Sequence, residues 1–280
     1  MIIRYLKGRT LNLADSEKMS DEVENIPNDL LPRILILGGT GEGIELASRL
    51  SQWGQVRTIS SLAGRVDEAK RPEGVVRIGG FGGVDGLESY LTKNAIDVVV
   101  DVTHPFAAQI SRNAELACAR SGLPLVALIR PPWVQVTGDL WHEVADFQDA
   151  ARLVDSRSGR VFLSIGRQEV ESFAGYENAW FLIRAIQEPT GRLPRHRDVL
   201  LQRGPFNLDE ELRLLQDHSI NCVVSKNSGG SATYAKIQAA RLLGIPVVMI
   251  KRPAKHTVPT VETLESAISV ISSLTQAARR

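Results

Sequence analysis

The chain has 280 residues, 43% of them hydrophobic and 23% charged, with a formal net charge of +1 at pH 7. That balance suits one large or two modest soluble domains and offers no bulk electrostatic affinity for nucleic acid or a membrane surface. Cys118 and Cys222 stand far apart, outside any CxxC or metal-like spacing, so no metal site and no disulfide framework are expected, and a cytoplasmic setting is. No apolar run is long enough to span a bilayer. Residues 1–31 lack a signal-peptide core and carry too many acids for a transit peptide, so they are expected to form a poorly ordered N-terminal extension.

From Arg33 the chain alternates short apolar runs with helical patterns. "RILILGG", "VRTISS", "VVRIGG", "DVVVDVT" and "LVALIR" come first; "RVFLSIG", "WFLIRAI", "DVLLQRG", "NCVVSK" and "VVMIKR" follow. Near-continuous apolar strands separated by helices belong in parallel sheets covered on both faces. Five strands and then five more predict an α/β architecture of two Rossmann-like, doubly wound parallel-sheet domains, between which the resemblance given below implies an interdomain cleft. The Pro- and Gly-bearing stretch "RPPWVQVTGDLWHEV" divides them, which places the domains at 32–140 and 141–280 with a hinge over 131–141.

The first run ends in "GGTGEG", where Gly38, Gly39, Gly41 and Gly43 lead directly into the helical pattern "IELASRL". Glycines let a backbone approach a diphosphate, and a helix N-terminus adds amides and a favourable dipole. The strict GxGxxG spacing is not met, since Ile44 stands at its last glycine, and a bare turn remains an alternative. The second run ends in "TISSLAGR", which has Ser60, Ser61 and Arg65 and no acid for a ribose diol. Hydroxyls and a guanidinium suit the 2′-phosphate of NADP, against the alternative of a solvated surface arginine. In "RIGGFGG", Gly80 and Phe81 either cover a cofactor or plug a core edge. In "DVTHPFA", Thr103 is a candidate helix cap, and His104 is either a turn cap or the proton donor of a hydride-transfer reaction.

The second half carries cations at its strand ends, namely Arg167, Arg184, Arg203, Lys226 and Arg252. Singly each reads as a snorkelling surface residue; together they suit a polycarboxylate. Internal repetition points the same way. Asp101–Pro131 overlays Val223–Pro253 without a gap, matching Gly122, Pro124, Val126, Arg130 and Pro131 with Gly244, Pro246, Val248, Arg252 and Pro253. "ILGGTGE" likewise echoes "SIGRQE". The overlay puts "THPFA" and "SKNSGG" at equivalent strand ends, where open α/β sheets bind ligands.

"GGTGEG", "SLAGR", "RIGGFGG", "DVTHPFA", "LIRPPW", "GDLW", "GRQ", "RGPF", "SKNSGG" and "GIPVVMIKRP", in that order, resemble the precorrin-6A reductase family of cobalamin biosynthesis. The resemblance runs from about Arg33 to Pro253. It implies NADPH-dependent reduction of a double bond of precorrin-6A to give precorrin-6B, or of the cobalt-containing counterpart. Carried over by position, Gly38, Gly39, Thr40, Gly41 and Glu42 hold the cofactor, with Ser60, Ser61 and Arg65 toward its 2′-phosphate and Gly80, Phe81 and Thr103 beside it. His104, Pro105, Phe106, Arg167, Gln168, Arg203, Lys226, Asn227, Ser228, Gly229 and Gly230 face the tetrapyrrole. Lys226 is expected on a substrate carboxylate or, second, on the cofactor across the cleft. Family loops often read GGTxEA, so Gly41 and Gly43 depart from the pattern. The implied enzyme is a monomer or small homo-oligomer. A cofactor-free two-domain tetrapyrrole synthase and a non-enzymatic NADP sensor are the competing readings.

Overall fold

The computed structural model describes residues 30–64, 71–156, 159–255 and 258–278. Nearly all of the expected N-terminal extension, and Arg65, lie outside the described residues. The first part of the chain forms β1 (Arg33–Leu37), α1 (Gly41–Trp53), β2 (Arg57–Leu62), β3 (Val75–Ile78), α2 (Gly83–Lys93), β4 (Val98–Asp101), α3 (Ala108–Ser121) and β5 (Leu125–Leu128). Then come β6 (Trp141–Val144), α4 (Phe147–Asp155), β7 (Gly159–Ser164), a 3-10 turn at Glu169–Phe173, β8 (Ala179–Ala185) and β9 (Arg197–Leu201). The remainder is α5 (Leu208–Asp217), β10 (Cys222–Lys226), α6 (Ala235–Leu242), β11 (Val247–Ile250), β12 (Thr260–Val261) and α7 (Leu264–Ala278).

Among the described residues these strands make two six-stranded parallel sheets, ordered β12-β5-β4-β1-β2-β3 and β6-β11-β10-β7-β8-β9. The α/β class and the doubly wound order are those the alternating pattern predicts. Period-two alternation explains the layers. Ile34 and Ile36 of β1 face Leu46, Ala47 and Leu50 of α1 and Ala267 and Ile271 of α7, while Leu35 and Leu37 face α2 and α3 on the other side. In the second sheet Val161 and Leu163 turn toward α4, and Phe162 turns toward α5 and α6. Each such buried side chain contributes about 1.5–3 kcal/mol, which both sheets need because neither has a solvated face.

The ten expected strands all form, and two more were not expected. β6 reads "WHEV" and lies at a sheet edge, too polar and short for the apolar-run criterion. β12 has two residues, also at an edge. The second strand corrects the domain boundary: after β11 the chain returns to the first sheet, where β12 pairs with β5 and α7 packs on α1. The two sheets therefore exchange their outermost strand–helix units, β6-α4 and β12-α7. The two units match without a gap. Val144 falls on Val261, Ala150 on Ala267 and Val154 on Ile271, and the helix N-terminal hydroxyl or carboxyl acceptors are Asp146 and Thr263. The chain thus crosses between the sheets twice, at 129–140 and at 251–259, where a single hinge was expected.

Strand register also corrects the internal overlay. β5 and β11 coincide at the expected offset, but Val99 pairs with Leu125 whereas Val223 pairs with Val247. Within β4 and β10 the match is therefore shifted by two residues, which sets His104 level with Ser228 rather than with Lys226. A gapless sequence overlay misses this because the shift is absorbed in the loop between strand and helix.

Candidate functional site

The carboxyl edges of the two sheets meet. His104 Nε2 lies 3.2 Å from Ser228 Oγ, so the two residues that register makes equivalent touch one another. Lys226 Nζ stands 5.5 Å from the Phe106 ring, and Lys255 donates to Thr103 Oγ1 at 2.8 Å and to Thr103 O at 3.2 Å. Arg130 joins three elements: its guanidinium donates to both Glu42 carboxylate oxygens at 2.9 Å and to Ser228 O at 2.7 Å. Arg252 donates to the carbonyls of Asn227, Arg130, Pro131 and Ser228. Two glycines make this approach possible. Gly229 and Gly230 have φ of +67° and +72°, and a Cβ on Gly229 would stand 2.1 Å from Pro131 O.

In the first loop Thr40 caps α1. Its hydroxyl accepts from Gly43 N at 3.2 Å and donates to Val102 O at 2.7 Å, so both its capacities are used. Gly39, at φ +112°, and Gly41 have open space where a side chain would be, which suits a ligand's close approach to the helix N-terminus. Glu42 sits in the first turn. Burial would raise its carboxyl, but the Arg130 guanidinium and local hydrogen bonds outweigh burial and hold it below the usual carboxylate range. The small void beneath this loop has about 10 Å³, room for one water.

His104 is neutral here, and its tautomer follows from its contacts. Nδ1 accepts from Phe106 N at 3.2 Å, so Nε2 carries the proton and donates to Ser228 Oγ. Burial, then Lys226, Arg130, Lys255 and Arg252, push its pKa down to about 3. The cations are themselves strained by burial: Lys226 and Lys255 lie below the ordinary lysine value, and Arg252 falls to about 10 beside Arg130. Around the junction stand four cations, Arg130, Lys226, Arg252 and Lys255, with Glu42, Glu169 and Asp101 as their near acids. Four against three leaves one positive charge in excess.

Several expected residues are placed differently. Ser60 is 1% exposed with its hydroxyl unpartnered among the described residues, so it faces the core and cannot reach a cofactor. Ser61 accepts from Arg77 at 3.1 Å. Phe81 packs edge-on against Tyr90 in the core behind α2 and lies 3.7 Å beneath the Arg77 guanidinium, so it plugs a core edge. Thr103 does not cap α3, whose N-cap is Ala107; its hydroxyl donates to Asp101 instead. The Asn227 side chain is spent on the backbone of Trp133, at 2.8 and 2.9 Å. Arg184 is buried in a two-point pair with Glu211, which removes it from the candidate anion binders. Arg167 is half-buried beside Gly166 and makes no ion pair among the described residues, while Gln168 and Arg203 are exposed. Pro105 lines the void under the first loop.

Sequence reading missed Arg77, Arg130 as a bridge, and Lys255. Arg130 carried a signal, because the repeat matched it with Arg252. Arg77 sits inside "VVRIGG", where an arginine among strand residues reads as solvated; only the β2–β3 register, Ser61 opposite Arg77, brings it to the end of β2.

Fold and site together define a Rossmann-type α/β protein with a phosphate-suited helix terminus facing a cationic turn. The family profile described as "Precorrin-6x reductase CbiJ/CobK" matches residues 33–272. A precorrin-6A reductase of Rhodococcus erythropolis is 50% identical over 247 residues, covering 88% of this chain and 100% of the relative. A precorrin-6A reductase of Mycobacterium tuberculosis is 47% identical over 224 residues, 80% of this chain and 90% of the relative. The cobalt-precorrin-6A reductase of Priestia megaterium is 25% identical over 256 residues, 87% and 99%. The solved CobK precorrin-6A reductase superposes with a TM-score of 0.82 at 40% identity, over 87% of this chain and 97% of that one. The chain belongs to the precorrin-6x reductase family. Among the described residues no helix is long and apolar enough to cross a membrane, and no cluster of metal ligands forms.

Proposed function

We propose that the chain reduces one ring double bond of precorrin-6A with hydride from NADPH, giving precorrin-6B in cobalamin biosynthesis. The observation that carries this reading is the meeting of the glycine-flanked α1 terminus with a turn that holds one positive charge in excess. A tetrapyrrole rimmed with acetates and propionates supplies the missing anions. Metal-free substrate is favoured because the relatives at 47–50% identity are named precorrin-6A reductases, whereas the cobalt-named relative stands at 25%.

In this reading the backbone of Gly38, Gly39 and Gly41 holds the diphosphate at the α1 terminus, with Arg130 cancelling the Glu42 charge that would repel it. Bound there, the dinucleotide supplies the hydride. Arg77, beside Ser61, takes the place expected of Arg65 as the cation for the 2′-phosphate. Lys226 and Arg167 fix substrate carboxylates and so set the ring's orientation. His104 acquires its proton only with substrate present: carboxylates arriving among the four cations raise its pKa from about 3 toward the ordinary value. It can then take up a proton and deliver it to the ring.

An anaerobic assay with metal-free and cobalt-bound substrate, each with NADPH and NADH, tests the proposal. Oxidation of NADPH with the metal-free form is expected. Binding of NADPH without turnover would favour a sensor, and no NADPH binding would favour a cofactor-free enzyme. Arg77→Ala should raise the NADPH KM about tenfold, the weight of one charge-assisted contact, and leave the NADH KM alone. Equal changes would make Arg77 a structural clamp on the glycine loop.

A further inference from the structure

Beyond Asn227, alongside β6 at the outer side of the second sheet, lies a cavity of about 380 Å³. Its walls come from both crossings and from β6: Trp133, Val134, Trp141, Glu143, Lys251 and Arg252. Four features point to a ligand. Trp133, Val134 and Trp141 offer apolar faces, and Val134 is 72% exposed, a cost to a surface with nothing to cover it. The Trp141 Nε1 is buried with no acceptor among the described residues, although buried indole N–H groups ordinarily find one. Lys251 pairs with Glu143 at 3.2 Å across two half-exposed side chains, a contact weak enough for an incoming carboxylate to replace. Arg252 gives four of its five donors to carbonyl oxygens and pairs with no carboxylate among the described residues, so one N–H and its charge remain for an anion.

The chemistry these groups share is recognition of a flat ring that bears a carboxylate: faces for the ring and two cations for the acid. The volume sits near the lower end of small-molecule sites, roughly 300–1,000 Å³, and is too small for a whole tetrapyrrole. The 227–230 turn separates the cavity from His104, and four residues span at most about 14 Å. A macrocycle held at His104 can therefore reach over the turn with one of its rings.

We propose that this cavity is a rim subsite, taking one carboxylate-bearing pyrrole ring of the tetrapyrrole against Trp133 and Trp141 with its acid on Lys251 and Arg252. The assignment rests on the functional reading above and adds a place for a second part of the substrate, away from the reacting bond. It also makes substrate bridge both crossings between the sheets, so that binding ties the crossings together.

Two of the four tryptophans line the cavity, so intrinsic emission reports on it. The full chain is titrated with uroporphyrin III, an octacarboxylate, and separately with pyrrole-2-carboxylate, each with NADP present. Wild type should quench with uroporphyrin. Lys251→Glu, an exposed substitution whose folding is checked by its melting curve, should weaken uroporphyrin and raise the precorrin-6A KM about tenfold. NADPH KM should stay within twofold, and Lys251→Arg should restore the wild-type values. Uroporphyrin binding and precorrin-6A KM that both ignore Lys251→Glu would overturn the subsite. So would Lys251-dependent binding of pyrrole-2-carboxylate alone, which would make the cavity an independent small-ligand site. Should wild type fail to oxidise NADPH with precorrin-6A, the functional reading falls by that result, while porphyrin binding is still read separately.

Discussion

The two sheets share a strand order, and their first loops begin alike, yet only one of them opens its helix terminus to a ligand. After β1, Gly39 opens onto empty space and the chain enters a thirteen-residue helix whose N-terminus faces outward. After β7, the matching Gly166 is followed by a five-residue 3-10 turn, and charged side chains stand beside it. A Cβ on Gly166 would stand 3.6 Å from Lys226 Nζ and 3.5 Å from Glu169 Oε2. The matching acids are used in opposite ways. Glu42 is discharged by Arg130, which clears the first loop for phosphate, whereas Glu169 holds Lys226 at 3.6 Å over the second. The same strand order thus carries backbone amides at one loop and side-chain charges at the other.

The sharpest way to break that comparison is to substitute the two glycines. Gly39→Val places a β-branched residue at φ +112°, and both strain and the loss of approach should weaken NADPH about 10- to 100-fold. Gly166→Val, also at positive φ, should leave NADPH binding near wild type and disturb the Lys226–Glu169 pair instead. Equal loss of NADPH binding in both variants, read by fluorescence titration, would mean that both loops hold nucleotide. Next in size is Lys226→Met, which removes the cation and leaves Glu169 facing the junction. The tetrapyrrole KM should rise about tenfold with little change for NADPH. A rise confined to NADPH would assign the turn to the cofactor.

The smallest expected effect concerns the buried charges behind the second edge. Lys236 is 2% exposed, held by one hydrogen bond to Thr233 O at 2.7 Å, beside the Arg184–Glu211 pair. Burial, then Arg184, lowers its pKa to about 7 despite Glu211. Between that value and the unfolded value of about 10.4, the unfolded chain binds a proton that the folded one does not, so wild-type stability climbs as pH rises through this window. Lys236→Met leaves Arg184 and Glu211 balanced and should be more stable at pH 7, with the gap closing toward pH 10. Urea unfolding at several pH values measures this, and a pH-independent gap would place the titrating group elsewhere.

Much of this was legible in the residues. Ten apolar runs became ten strands because strands buried on both faces must be apolar throughout, and the glycine cluster after β1 reads as a loop that admits a ligand. β6 and β12 were not legible, since edge strands need neither length nor unbroken hydrophobicity. Ser60 illustrates a different limit. Its position near the end of β2 follows from the sequence, but whether its hydroxyl faces ligand or core depends on a register of one residue. The two-residue shift that sets His104 against Ser228 is invisible for the same reason.

By itself, then, the sequence determined the layered α/β class, the glycine-flanked loop after β1 and the cationic character of the second half, because each rests on local pattern or composition. Only the tertiary structure decided where each cation is spent. Arg184 disappears into a buried pair, Arg252 turns to carbonyls and Arg130 crosses to Glu42, while Lys226 stays at the junction. Those outcomes depend on partners 24 to 122 residues away, brought together by the fold, and no local pattern encodes them.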